Sequence, residues 1–231
     1  MKFKNSLVVI FFVIIWLVNN TSLISIQNRI EDFDNLARIN GMLDSFVGIF
    51  MITYLFIFYS HSVKAGLEEH LLVRMSRKKY ILLVTSKGLI HAFLYSGIYT
   101  LVSIIGNLAF VDPVLIFSQK YLQFVFVQFI GLFLYLSFIS NISILIWIML
   151  NFRKISIWVT AGVATVICCL PMNILHPLDA IFTSASLTGS FDIEQKSISV
   201  VVEMLYLLIL TSLSFIFFRR KDIIREIEHE K

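Results

Sequence analysis

The sequence predicts an all-α, polytopic membrane protein with six transmembrane helices and both termini in the cytoplasm. Of its 231 residues, 58% are hydrophobic and only 15% are charged, whereas soluble domains average roughly 45–50% apolar and about 25% charged residues. The apolar residues also form long unbroken runs, close to the ~20 residues that a helix needs to cross the hydrocarbon core. Lys and Arg collect in alternate loops, which is typical of a multi-pass protein.

Six apolar runs define the predicted spans, and each must be helical because irregular backbone cannot face lipid. The runs cover residues 7–26, 41–62, 80–110, 121–150, 155–170 and 198–218. We interpret the first as a retained span rather than a signal peptide, because Asn19, Asn20 and Thr21 follow its core instead of a small-residue cleavage pattern. Residues 171–197 are predicted to form an extracellular segment, so residues 1–231 make a single transmembrane domain.

The basic residues predict the orientation. With the N-terminus inside, 15 of the 19 Lys and Arg residues fall on the cytoplasmic side, where such residues are retained during insertion. The four assigned to the outside are Arg29, Arg38, Lys120 and Lys196. We therefore expect a plasma-membrane protein, and the abundance of Ile, Phe, Lys and Asn favours a bacterial source.

The segment between spans two and three predicts a short amphipathic helix over residues 67–75. Its apolar residues share one face of a helix with a period of 3.6: Leu67, Leu71, Leu72 and Met75. Glu68 and Glu69 lie in its first turn and Arg74 near its end, as the helix dipole prefers. Arg77 and the two lysines after it would lie at the lipid headgroups. A solvated basic loop is the alternative interpretation, and a helix that docks on a cytoplasmic partner is the functional one.

This arrangement resembles the ABC-2-type permease family, and within it the compact permeases linked to bacteriocin or lantibiotic immunity or to toxin-peptide export. The family has six spans, cytoplasmic ends and a coupling helix between spans two and three. The resemblance implies an ATPase-coupling role for Leu67, Glu68, Glu69, Leu71, Arg74, Arg77 and Lys78. It also matches Lys87 to the basic residue with which span three begins in the family. The chain departs from the family at its start, where only Met1–Asn5 precede Ser6.

The expected partners follow from a missing motif. No G-x-x-x-x-G-K-[ST] sequence occurs, so this chain has no P-loop for ATP phosphates. We expect no enzymatic activity and no cofactor in this chain, with ATP and Mg on a separate P-loop ATPase subunit. Further expected partners are membrane lipids and a second permease copy or a paralogue, and no nucleic acid is expected. The adjacent cysteines Cys168 and Cys169 predict neither a disulfide nor a metal site.

Polar residues inside the spans are few, which favours an amphipathic substrate, either a peptide or a lipid-like molecule. A possible translocation path is formed by Lys87, His91, Ser137, Ser140 and Asn141. The last three share one helix face, and their alternative role is helix–helix packing. Three further ionisable residues are expected at the interfaces, where their side chains would snorkel to the headgroups: Asp44, His61 and Glu203.

Two other function classes remain open. The chain is an autonomous immunity or binding protein if it sequesters a membrane-active peptide without an ATPase. It is an intramembrane protease if Glu68, Glu69 and Arg74 form the E-E-x-x-x-R motif of such enzymes. However, four residues separate Glu69 from Arg74, which rotates the Arg by about 100° on a helix. Proton-coupled transport is a weaker prediction, because charges at mid-bilayer are not evident in the sequence.

Overall fold

The computed structural model describes residues 2–20, 46–64, 76–150, 153–169 and 193–220, which are almost entirely helical. Within these ranges seven helices follow one another in chain order: α1 (Lys2–Asn19), α2 (Phe46–Lys64), α3 (Arg77–Phe110), α4 (Pro113–Ile116), α5 (Gln119–Leu150), α6 (Arg153–Cys169) and α7 (Ile193–Arg220). The predicted coupling helix over residues 67–75 lies outside the described residues. Residues 171–192 of the predicted extracellular segment also lie outside the described residues, and α7 begins at Ile193, within the last five residues of that segment.

Three of these helices are long and apolar enough to cross a membrane. They contain the stretches Lys78–Phe110, Gln119–Leu150 and Ser197–Phe218. The 32 residues of α5 extend for about 48 Å at ~1.5 Å per residue, more than the ~30 Å of a hydrocarbon core. In α1, α2 and α6 the apolar stretches are shorter within the described ranges: Val8–Val18, Gly48–Ser60 and Ile155–Cys169.

Local sequence signals explain two of the helix starts. Asp112 caps α4, because its carboxylate accepts a hydrogen bond of 2.8 Å from the backbone N–H of Val114, and Pro113 occupies the first helical position, where its missing N–H costs nothing. Ser76 occupies the N-cap position of α3, as its residue type predicts. Its side chain makes no capping hydrogen bond, however, so Ser76 marks this helix start by its position and residue type alone.

Pairs of side-chain contacts set the relative directions of the helices. Helices α1 and α3 are parallel, as shown by the pairs Phe12–Tyr99 and Trp16–Phe110. Helices α5 and α7 are parallel by the pairs Phe138–Tyr206 and Asn141–Thr211. Helices α2 and α3 are antiparallel, as shown by the pairs Phe56–Tyr95 and Tyr59–His91. Helices α2 and α6 are antiparallel by the pairs Tyr54–Thr165 and Phe58–Trp158. Helices α3 and α5 are antiparallel by the pairs Asn107–Tyr121 and Gly88–Ser140. The long helices therefore alternate in direction along the chain.

Helix α5 forms the centre of the bundle. It packs against α2, α3, α6 and α7, while α1 packs against α2 and α3. Inside the bundle, 61% of the apolar stretch of α5 is buried, compared with 11% of that of α7. Aromatic residues dominate the core between α1, α2 and α3. There the ring centroids of Phe12 and Phe56 each lie 5.5 Å from that of Tyr95. Helix α7 is therefore peripheral and α5 is the helix best placed to carry an internal site.

Apolar side chains cover the outside of the bundle, and polar side chains lie inside it. On α1, α3 and α7 large hydrophobic residues are exposed, such as Ile10 at 58%, Ile105 at 66% and Leu208 at 63%. Buried polar residues occur in α2, α3, α5, α6 and α7, and Asn20, which follows α1 directly, is buried as well. A water-soluble bundle shows the opposite distribution, so this one is suited to surrounding lipid.

Candidate functional site

The predicted coupling residues are only partly described. Leu67, Glu68, Glu69, Leu71 and Arg74 lie outside the described residues. Arg77 is the first residue of α3, and Lys78 is exposed beside it. Their assignment to an ATPase contact therefore stays a prediction.

The residues predicted to form a translocation path lie at one level of the bundle. The pairs Asn107–Tyr121 and Gly88–Ser140 define the antiparallel register of α3 and α5. This register brings Lys87 level with Asn141 and His91 level with Ser137. Both α3 side chains are half-buried. The sequence-based prediction thus grouped residues that share a depth in the bundle.

These residues nevertheless belong to three different helix interfaces. Ser140 lies against Gly88 on α3, so closely that a Cβ atom on this glycine would overlap its Oγ. Asn141 accepts a hydrogen bond of 3.3 Å from Thr211 on α7 and donates one of 2.9 Å to the Ser137 carbonyl. The His91 ring packs edge-on against Tyr59 of α2 at 6.1 Å. Ser140, Asn141 and His91 therefore each contact a different neighbouring helix. The assignment of the five residues to a translocation path stays a prediction.

A second set of polar residues, which the sequence analysis did not single out, follows one face of α5. Tyr121, Gln128 and Tyr135 are spaced by seven residues, so they repeat on the same helix face every two turns. All three are buried, with exposed fractions of 1%, 2% and 0%. We call these three residues the polar stripe. It extends about 21 Å from the start of α5 to its middle, at ~1.5 Å per residue.

Neighbouring helices supply hydrogen-bond partners to both ends of the polar stripe. The Asn107 amide of α3 donates to the Tyr121 hydroxyl at 2.9 Å. At the other end, the Tyr135 hydroxyl lies 3.0 Å from Thr53 Oγ1 of α2 and 3.8 Å from Cys168 Sγ of α6. These contacts connect four helices through two tyrosine hydroxyls.

Gln128, in the middle of the polar stripe, differs from both tyrosines. Neither its Oε1 nor its Nε2 has a hydrogen-bond partner among the described residues. The register of α3 and α5 places Thr100 at its level and Ser103 one turn further, and both hydroxyls are also buried without a partner there. Unsatisfied polar groups in an apolar interior cost roughly 1–3 kcal/mol each. This region therefore has unused capacity to bind a polar species.

Glu203 of α7 is a further buried polar residue beside the polar stripe. Its exposed fraction is only 4%, so it does not snorkel to an interface as the sequence analysis expected. The parallel register of α5 and α7, set by Phe138–Tyr206 and Asn141–Thr211, places Glu203 level with Tyr135. Its carboxyl group interacts electrostatically with the Tyr135 hydroxyl. We call Thr53, Tyr135, Cys168 and Glu203 the central cluster.

The central cluster has no group of His, Cys, Asp and Glu residues that could hold a metal ion within the described part of the chain. It combines one carboxyl, two hydroxyls and one thiol from four helices. Such a set is suited to exchanging protons or hydrogen bonds rather than to metal coordination.

No protein-family model, no curated protein and no solved structure matches this chain. Its functional interpretation therefore depends on the topology, the charges and the interior site. The spacing of Tyr121, Gln128 and Tyr135 was visible in the sequence as a signal for one helix face. The burial of Glu203 was not visible, because it depends on which side of α7 faces α5.

Proposed function

We propose that this chain is the permease subunit of an ATP-driven transporter of the ABC-2 type in a bacterial plasma membrane. It would cross the membrane six times, with both termini in the cytoplasm, and would move an amphipathic substrate such as a peptide or a lipid-like molecule. A separate P-loop ATPase subunit would hydrolyse ATP, and a second permease copy or a paralogue would complete the transporter. The observation that carries the proposal is the clustering of charge at one end of the bundle.

The alternating helix directions bring six helix ends together at this end of the bundle, which we call the basic pole. They are the starts of α1, α3 and α6 and the ends of α2, α5 and α7. Contacts between Tyr80 of α3 and Phe218 of α7, with ring centroids 5.8 Å apart, support this grouping. The basic residues in or beside these ends are Lys2, Lys4, Lys64, Arg77, Lys78, Lys79, Arg153, Lys154, Arg219 and Arg220.

The opposite pole has a different charge. Within the described ranges its basic residues are Lys120 and Lys196, and its acidic residues are Asp112 and Glu194. Basic residues favour the cytoplasmic side of a membrane. The basic pole is therefore the cytoplasmic one in our proposal.

The basic pole is also where an ATPase would act. The end of α2 and the start of α3 both lie at the basic pole, and our proposal assigns the ATPase contact, with Glu68, Glu69 and Arg74, to the chain between them. Helix α3 continues without interruption for 34 residues and packs against α1, α2, α5 and α7. A force applied at its start would therefore be transmitted through most of the bundle.

Purification of the tagged protein from its native membrane in a mild detergent tests the proposal. Mass spectrometry should identify a P-loop ATPase in a stoichiometric amount, and the complex should hydrolyse ATP. Recovery of the chain alone, also after crosslinking through Lys78 and Lys79, would contradict the proposal and favour the autonomous immunity protein.

A charge reversal tests the docking segment directly. Glu69→Arg should abolish recovery of the ATPase and substrate-stimulated ATP hydrolysis while leaving membrane insertion unchanged. Glu31→Arg is the matched control, because it makes the same change in the segment that we assign to the outside. Equal ATPase recovery with both variants would refute the docking role of residues 67–75.

A further inference from the structure

Helices α3 and α5 face each other with polar residues at two successive levels. The outer pair, Asn107 and Tyr121, is joined by a hydrogen bond of 2.9 Å. Thr100 and Gln128 lie seven residues further into the bundle on their respective helices, and a spacing of seven residues returns to the same helix face. This inner pair therefore faces the same interface as the bonded pair, about 10 Å deeper at ~1.5 Å per residue.

The inner pair is not joined by a hydrogen bond. Thr100 Oγ1 and both polar atoms of the Gln128 amide are buried without a partner among the described residues. The exposed fractions of the two residues are only 8% and 2%, so bulk solvent does not replace the missing partners. Buried polar groups that stay unbound disfavour the folded state. A ligand between the two helices would satisfy both residues at once.

The Thr100 hydroxyl differs from those of three other threonines in this bundle. In Thr160, Thr165 and Thr211 the hydroxyl donates to the carbonyl four residues earlier, at distances between 2.7 and 2.9 Å. That bond satisfies the hydroxyl within its own helix. Thr100 does not make it, and neither does Ser103, which lies three residues further along α3. Both hydroxyls are therefore available to a group outside their own helix.

The charges around the inner pair favour a neutral ligand. Residues 96–104 of α3 and 124–132 of α5 contain no Lys, Arg, His, Asp or Glu. Lys120 and Glu203 each lie about two turns away along the bundle, at 3.6 residues per turn. Because a charge in an apolar interior has a high free energy without an opposite charge beside it, this level of the bundle disfavours an ionic ligand.

Lys196 is the cation nearest to the inner pair by level, according to the parallel register of α5 and α7. The positions of α5 that contact α7 include Phe138 and Asn141, and these positions repeat every seven residues at places other than Gln128. The Gln128 side chain therefore faces α3 rather than α7. An anion bound by Lys196 is the competing ligand that the experiment must exclude.

We propose that Thr100 and Gln128 bind a small neutral group that both donates and accepts hydrogen bonds, either a water molecule or an amide or hydroxyl group of the substrate. The Gln128 amide offers donors and an acceptor, and each hydroxyl of α3 offers both. A buried water typically makes about three hydrogen bonds, which this set supplies. The site itself does not depend on transport, and only its assignment to a substrate group rests on the proposed function.

A double-mutant cycle tests whether a shared ligand couples the two residues. Gln128→Met and Thr100→Val replace each polar group by an apolar one of similar size. With a ligand bound, each single change should lower the melting temperature in detergent by roughly 2–4 °C, and the double variant should lose less than the sum. Without a ligand, each change removes an unsatisfied group, so both should raise the melting temperature, and this result would overturn the proposal.

Thr160→Val is the matched control for the cycle. Its hydroxyl donates to the Ser156 carbonyl of its own helix, and the antiparallel pair Tyr135–Cys168 places it about four turns from Gln128. Distant sites contribute additively to stability, so Thr160→Val with Gln128→Met should show no coupling. If Gln128→Met does not fold, Gln128→Leu takes its place.

An experimental structure that resolves water molecules separates a bound ligand from a direct bond. Density between Thr100 Oγ1 and the Gln128 amide, within hydrogen-bond distance of both, is expected. A direct hydrogen bond between these two side chains would overturn the proposal, and so would a bond from Thr100 to the Ser96 carbonyl of its own helix.

Three small amphiphiles distinguish the sources of the ligand. Octanamide donates and accepts hydrogen bonds, methyl octanoate only accepts them, and octanoate is an anion. A higher melting temperature with octanamide alone, absent in Gln128→Met, would assign the site to a substrate group, whereas bridging density without this rise assigns it to water. A rise that depends on Gln128 with methyl octanoate or octanoate would overturn the requirement for a neutral donor and acceptor. ATPase recovery is measured separately through Glu69→Arg, so failure of either proposal is recognised independently.

Discussion

Helices α1 and α3 approach each other closely at Gly106, so the stability of the protein should depend strongly on the size of the side chain at this position. A Cβ atom at this position would lie 2.5 Å from Cε2 and Cζ2 of the Trp16 indole, whereas ordinary contacts begin at 3.4 Å. The indole would have to move by about 1 Å, but it is 4% exposed and stacks on Phe110 with centroids 6.2 Å apart. Gly106→Ala therefore forces a buried ring out of its packing.

Two opposing contributions give the expected magnitude. Alanine in place of glycine stabilises a helix by up to about 1 kcal/mol, and overpacking a core costs about 1–3 kcal/mol. When the full helix gain is subtracted, Gly106→Ala should destabilise the protein by up to about 2 kcal/mol net. Gly162→Ala is the matched control, because no atom lies within 4 Å of its added Cβ, and it should be neutral or stabilising.

Thermal unfolding in detergent, followed by size-exclusion chromatography with fluorescence detection, measures both variants. A shift of roughly 2–4 °C per kcal/mol is expected for a chain of this size. Gly106→Ala should lower the melting temperature, whereas Gly162→Ala should leave it unchanged or raise it. In a Trp16→Leu background the cost of Gly106→Ala should disappear, which a double-mutant cycle detects as a coupling of about 1–3 kcal/mol. Equal melting temperatures of Gly106→Ala and Gly162→Ala would refute the packing of α1 on α3.

Two further predictions concern interior contacts. Tyr121→Phe should destabilise the protein by about 0.6 kcal/mol, the average for interhelical hydrogen bonds in membranes, and by no more than about 1.7 kcal/mol, because the Asn107 amide loses the hydroxyl that accepts its hydrogen bond of 2.9 Å. In an Asn107→Ala background the same change should cost much less, and an unchanged cost would argue against this bond. A lipid-soluble maleimide should label the exposed Cys169 faster than the buried Cys168. Mass spectrometry of Cys168→Ser and Cys169→Ser separates the two sites, and equal labelling rates would contradict the position of α6.

Much of the helical architecture follows from composition. The four apolar runs from residue 80 onward coincide with α3, α5, α6 and α7 to within a few residues, because long apolar sequences have few ways to satisfy their backbone other than a helix. The short helix α4 was not predicted as a helix, although Asp112 and Pro113 mark its start. The formation of such a single helical turn depends on capping hydrogen bonds, and the spacing of apolar residues does not predict these bonds.

The candidate site was only partly predictable. Ser137, Ser140 and Asn141 share a helix face in the sequence, and the structure buries all three. However, they contact different partners, because a wide face on a central helix meets more than one neighbour. Gln128 and Tyr135 were passed over, since an isolated polar residue in an apolar run gives no sign of what faces it.

The sequence by itself determined that this protein is helical, that its helices are apolar enough for lipid, and where its basic residues fall along the chain. These properties depend only on the amino-acid composition and on the order of the residues along the chain. Only the tertiary structure decided that α5 is central, that Glu203 is directed inward to Tyr135, and that Gln128 has no partner among the described residues. Those properties depend on the register and rotation of each helix, which close packing between helices sets and a single helix cannot determine.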